Sequence, residues 1–224
     1  MLKIWRDNWY WIGGIIFVVL SFFMGFWGAN HLQHIQVIMV FSWMSMLVHQ
    51  VEEYGWPGGF PGFTNILALK ETKEYDRYPF NPNLCFFDNV FTCYTAYIIP
   101  IFFPDLKWLA IAQICNGSLQ VLAHVIFEPI ITKRIYNPGA ASALFLQLPL
   151  AVYAMWYLAS NNLATTSDYI LGWIGAFLFL IIVFLIPVAL MRSKNSKYRF
   201  TERQIFGFLS SAENDMKAII NQTK

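Results

Sequence analysis

Six long apolar runs constrain this chain more than any other feature. They lie near residues 9–29, 35–54, 86–103, 107–131, 140–160 and 169–191. Each approaches the roughly 20 residues that an α-helix needs to cross a bilayer's hydrocarbon. Backbone in lipid must satisfy its own hydrogen bonds, so runs of this length predict helices. One soluble core built from 224 residues has no room for six of them. Only 12% of the chain is charged, against about a quarter in ordinary soluble domains. The expected fold is therefore all-α: a polytopic membrane protein with a bundle of six transmembrane helices over residues 1–195, and a tail over 196–224.

The basic residues orient that bundle, because Lys and Arg accumulate on the cytoplasmic side. Lys3 and Arg6 precede the first run; Lys70, Lys73 and Arg77 lie in the second loop; Lys133 and Arg134 lie in the fourth. The tail adds Arg192, Lys194, Lys197, Arg199, Arg203, Lys217 and Lys224. With six spans, 14 of the 15 basic residues fall on one side, Lys107 being the exception. Both termini are thus expected in the cytoplasm. The first run is longer than a signal-peptide core and is expected to stay as a span. The tail's apolar stripe (Ile205, Phe208, Leu209, Ala212, Met216, Ile219 and Ile220) has near-helical spacing and predicts an amphipathic helix on the inner leaflet. The loop 55–85 opens with Gly55-Trp56-Pro57-Gly58-Gly59, which demands a sharp turn, and a short helix is expected over 66–70. It serves either as a lid or as an interfacial loop.

A net charge of +2 gives no case for nucleic-acid binding. Cys85, Cys93 and Cys115 lack CxxC spacing and predict free thiols in apolar surroundings.

Against this background the embedded polar residues stand out. Four of the 13 acidic residues, Glu52, Glu53, Asp88 and Glu128, fall in or at the edge of apolar runs, as do His49 and His124. His31 and His34 fall in the first, outer loop. The alternating topology brings all six embedded groups to the cytoplasmic end of spans two, three and four. His49, Glu52 and Glu53 form an i, i+3, i+4 set, and His124 and Glu128 are i, i+4, so each set shares one helix face. Asn116, Gln120 and Gln113 continue the polar stripe on the fourth run; Asn89, Thr92 and Thr95 do so on the third. An unpaired carboxylate in hydrocarbon costs on the order of 3 kcal/mol, and apart from Lys107, at the very start of the fourth run, no Lys or Arg lies inside these runs to pair with one. Each carboxylate needs a proton, a partner or a metal. The set His49, Glu52, Glu53, Asp88, His124 and Glu128 suits one Zn²⁺, or a pair of Fe or Mn ions as in carboxylate-rich bundles. Bland readings exist for each residue alone. Glu53 and Glu128 can reach headgroup water, His124 can be a hydrogen-bonded bundle histidine, and Asp88 can be a helix N-cap.

His49-Gln50-Val51-Glu52-Glu53 resembles the name-giving motif of the HXXEE family of bacterial integral membrane proteins. Asn116, eight residues before His124, and then Tyr136-Asn137-Pro138-Gly139 resemble that family's second block. The family's usual Thr after the Gly is not evident in this chain; Ser142 is its candidate substitute. The resemblance spans about residues 42–153 and implies a site at His49, Glu52, Glu53, Asn116 and His124. It implies no reaction. Asn137 is expected to cap the fifth helix, with Pro138 in its first turn.

The leading expectation is a bacterial inner-membrane enzyme acting on a lipid or isoprenoid. His49, Glu52 and His124 would hold a metal, Glu53 (with Glu52) would serve as base, and Asn116, Gln120 and Asn89 would orient a head group. Two embedded histidines are too few for a histidine-box hydroxylase. A metal-free His/Glu proton-shuttle isomerase or cyclase, an ion or small-molecule transporter, and an accessory or sensor protein are the alternatives.

Overall fold

The computed structural model describes residues 2–222 and, within these, every side chain except those of Leu2, Thr92 and Ser210. Thr92, expected on a polar face, and Lys224, counted among the tail's basic residues, therefore lie outside what can be described. Among the described residues every regular element is helical. Six helices are long and apolar enough to cross a membrane: α1 (Lys3–His31), α2 (His34–Gly55), α4 (Pro82–Phe102), α5 (Lys107–Thr132), α6 (Ala140–Ser160) and α7 (Thr166–Met191). A shorter helix, α3 (60–68), lies in the second loop, and the tail forms α8 (Glu202–Phe206) and α9 (Ser210–Asn221).

The polarity of the bundle is inverted relative to a soluble domain. Phe26, Phe102, Phe145 and Leu190 on its perimeter are each more than 70% exposed. His49, Gln50, Glu53, Gln113, Asn116, His124, Asn137 and Gln147 are inside, each 6% exposed or less. An apolar perimeter of this extent needs an apolar surrounding.

Three sequence expectations change. First, helix α4 begins at Pro82 instead of residue 86. Asn81 caps it, its side chain accepting from the N–H groups of Asn83 (3.1 Å) and Leu84 (3.0 Å), with Pro82 in the first turn. Asp88 is therefore inside the helix and is not its N-cap. Second, the loop helix covers 60–68 rather than 66–70, and Lys70 follows with a positive φ of 57°. Asn65 locks the fold of this loop. Its amide donates to Tyr75 O (2.9 Å) and Phe80 O (3.1 Å) and accepts from Phe80 N (3.2 Å). Third, the tail's apolar stripe does not face outward. Ile205, Ala212, Met216 and Ile220 are buried in one cluster with Phe63, Ile66, Tyr54 and Trp9, while Phe208 is 62% exposed. A stripe signals that a face must be covered; here protein covers it. Arg203 donates to Gly55 O, Phe208 N–H donates to Pro57 O (2.9 Å), and Arg134 pairs with Asp215.

Helix α7 changes partners along its length. Its first half packs on α5, where Gly172 and Gly175 let the backbone approach Ile111, Ala112 and Trp108. Its second half packs on the start of α4, where Asn81 donates to Met191 O (3.0 Å). This crossing leaves room between α5 and α7 at the end of the bundle that carries both termini, here called the basic end.

Candidate functional site

At the basic end, α2 and α5 bring three side chains together. Glu53 Oε1 lies 3.3 Å from His124 Nε2 and 3.6 Å from His49 Nε2. The two imidazoles meet edge to face, with centroids 4.8 Å apart. One ligating atom from each of His49, Glu53 and His124 lies within 4.8 Å of the other two, and all three residues are buried.

The partners of the remaining ring nitrogens fix the tautomers. His49 Nδ1 faces Gly139 O (3.2 Å) and Ser142 Oγ (3.0 Å). A carbonyl only accepts, so Nδ1 carries the proton. Asn137 Nδ2 donates to His124 O (2.6 Å), which turns Asn137 Oδ1 toward His124 Nδ1 at 2.8 Å. That Nδ1 is a donor too. Both Nε2 lone pairs therefore point at a carboxylate oxygen. Three acceptors converging in a buried site need a proton, a cation or another donor between them. His49 Nε2 is buried and has no hydrogen-bond partner.

Glu52 does not join this group, although a role as metal ligand and base was expected. Its carboxylate accepts from Ala141 N (3.0 Å), Ser142 N (2.7 Å), Ser142 Oγ (2.5 Å) and the Tyr136 hydroxyl (2.8 Å). Those four bonds use its lone pairs. It caps the N-terminus of α6 from a neighbouring helix, where the helix dipole favours a negative charge. Asn137 was expected in that capping role; instead its side chain orients His124. Burial and the adjacent Glu52 carboxylate push the Tyr136 phenol above its usual range, which keeps it a donor.

Gly139 makes the approach possible. Its φ is +105°, and a Cβ there would stand 2.7 Å from His124 Cε1 and 2.8 Å from His49 Cε1. The segment 136–142 is thus the clamp of the site: Gly139 O and Ser142 on His49, Asn137 on His124, and Tyr136, Ala141 and Ser142 on Glu52.

The triad forms one wall of a cavity of about 240 Å³ between α2, α4, α5 and α7. Asp88, Asn89, Asn116, Gln120 and Glu128 also line it, so the other expected site residues share the chamber. Asp88 and Glu128 stay outside the group of mutually close ligand atoms. Glu128 Oε2 lies 3.7 Å from His124 Nδ1, buried and without a hydrogen-bond partner. Asn89 is committed to structure, accepting from Gln50 Nε2 (3.0 Å) and donating to Cys85 O (2.9 Å). Asn116 donates to the Tyr97 hydroxyl (3.3 Å). Phe179, Leu180, Val183 and Phe184 of α7 complete the lining. Sequence reasoning missed this fourth helix because its contribution is wholly apolar. Ser142 and Gly139 had a signal only as neighbours in the second block.

The class is thus an all-helical bundle of six span-length apolar helices around a buried His–Glu–His group. The profile of the family described as "protein of unknown function with HXXEE motif" matches residues 39–154, more than half of the chain, and the protein belongs to that family. No curated protein and no solved structure matches the chain. The motif's two glutamates have different work here: Glu53 faces the histidines, and Glu52 ties the motif to the 136–142 clamp.

Proposed function

We propose that this is a multi-pass protein of the bacterial inner membrane, with both termini in the cytoplasm, whose His49, Glu53 and His124 bind one divalent metal, most simply Zn²⁺, in an enzyme that acts on a lipid or isoprenoid. The orphaned, lone-pair-bearing Nε2 of His49 carries this reading. Two imidazoles and one carboxylate, with a cavity at the fourth position, form the donor set of an open zinc site. The Nδ1–H bonds of both histidines to oxygen acceptors match the outer support that orients metal-bound imidazoles. A single ion is favoured over an Fe or Mn pair because Asp88 and Glu128 are not gathered into the set. When bound, the cation would act as a Lewis acid on a substrate oxygen. The protein's own part is distinct from this. Glu128, whose Oε2 on the cavity wall has no hydrogen-bond partner, takes or returns a proton, and Asn116 and Gln120 orient the polar end of the substrate.

A second reading rests on the 3.3 Å contact between His124 Nε2 and Glu53. A proton held there would make the pair a metal-free shuttle for an isomerase or cyclase. The two readings separate with Glu53→Ala and Glu128→Gln. A metal enzyme loses its ion in Glu53→Ala. In Glu128→Gln it keeps the ion and loses conversion of lipids from a native extract, followed by mass spectrometry. Identical lipid profiles for wild type and Glu128→Gln would remove the enzymatic role.

A further inference from the structure

The chamber beside the triad is not the end of the cavity system. A second, apolar slot of about 120 Å³ adjoins it between α4, α5 and α7. The two share Asn116 and Phe179 in their walls. The slot is walled by Ala96, Ile99, Leu109 and Ala112 and reaches Trp108 at its far end. Of its polar neighbours, Gln113 spends its amide N–H groups on Met39 O (3.2 Å) and Tyr97 O (3.1 Å), while its buried Oε1 has no hydrogen-bond partner. From Asn116 to Trp108 the slot follows α5 for about 12 Å at the rise of an α-helix.

Polar groups therefore sit at the basic end, and apolar walls run from mid-bundle toward the opposite end, where Trp108 and Leu109 open α5 and Ile99 lies one turn from the end of α4. An amphiphile bound along this line has its head at the basic end and its chain reaching past the middle of the bundle. The chamber's other faces limit how such a molecule arrives. Phe60, Thr64 and Phe80 roof it at the basic end, and Asn65 together with the tail helices holds that roof down. On the side where α7 leaves α5 for α4, the lips are half-buried: Leu119 and Ala123 on α5, Leu180 and Phe184 on α7.

Building on the metal reading above, we infer that the substrate is a single-chain amphiphile with a compact, oxygen-bearing head. Its head lies in the polar chamber at His49, Glu53 and His124. Its one chain lies in the slot toward Trp108, and it is admitted sideways between α5 and α7. One narrow slot has no place for a second chain, and a chamber of about 240 Å³ is smaller than the pockets of about 300–1,000 Å³ that enclose whole drug-sized ligands.

The test uses the full-length protein in phosphatidylcholine nanodiscs loaded with zinc. The probes are a short-chain and a long-chain alkyl hydroxamic acid, plus a long-chain alkyl alcohol, each long chain with a diazirine at its far end. The slot predicts that the long-chain hydroxamate binds more tightly than the short one and photolabels residues around Ile99, Trp108 and Leu109. In Ala96→Trp, which fills the slot, the chain-length preference and that labelling are lost while zinc content and short-chain binding persist. Equal binding of short and long chains by wild type, or labelling confined to the outer faces of α1 and α6, overturns the inference. Zinc content, measured on the same samples, judges the metal separately. If wild type holds no zinc yet the long-chain alcohol labels the slot, the slot stands and the metal falls. If zinc is held and the slot is unlabelled, the reverse follows.

Discussion

At the residue scale, adjacent glutamates diverge because a helix turns about 100° between them. Both lie at permissible spacings from His49, so sequence placed Glu52 and Glu53 on one face. The backbone decides between them where α2 ends in widened turns, Trp56 N–H reaching Val51 O (2.8 Å) and Gly58 N–H reaching Glu52 O (3.0 Å). Glu53 goes to the histidines and Glu52 to α6. We predict that Glu52→Gln keeps the metal but weakens it by about 10–100-fold, the usual effect of losing support behind a ligand. The chain from Glu52 through Ser142 to His49 carries that effect, and a competitive zinc titration reads it. Unchanged affinity would show that Glu52 serves helix α6 alone.

At the element scale, the clamp 136–142 matters more than any single span. Tyr-Asn-Pro-Gly read as a helix start, and Gly139 does lead into α6, yet its main effect is to let two imidazoles meet over a backbone without a Cβ. Gly139→Ala should cost on the order of 1–3 kcal/mol in backbone strain, with added displacement of His49 and His124. The expected outcome is a lower thermal midpoint together with weaker metal binding; a loss of stability with metal affinity intact would separate the clamp from the site. The six long apolar helices were legible because each shows in the sequence as a long, nearly unbroken hydrophobic run. The start of α4 was not, since Pro82 reads equally as a turn or as a first helical residue, and only the capping bonds of Asn81 decide. The lining by α7 was invisible for the same kind of reason: Val183 and Phe184 carry no polar mark to distinguish a cavity face from a lipid face.

At the scale of the whole molecule, the tail is part of the site's architecture. Its helices press Met216 and Ile205 onto the loop that roofs the chamber, and Arg134 links the tail to the segment that precedes Tyr136. The sequence showed the apolar stripe, but a stripe does not name what covers it, and membrane was the default. Met216→Ala, at a position with no exposed surface, should lower stability by about 2–5 kcal/mol as a cavity in a packed core. A tail lying on lipid would lose far less. The loss would be read by thermal unfolding in detergent, with circular dichroism as the probe.

The measurement that bears most directly on the central claim is elemental analysis of the purified protein, wild type beside His49→Ala. The His–Glu–His site predicts about one divalent ion per chain in the wild type, as in other three-ligand open sites, and none in the variant. A wild type that carries no stoichiometric metal, or a His49→Ala variant that keeps it, would contradict the site proposed here.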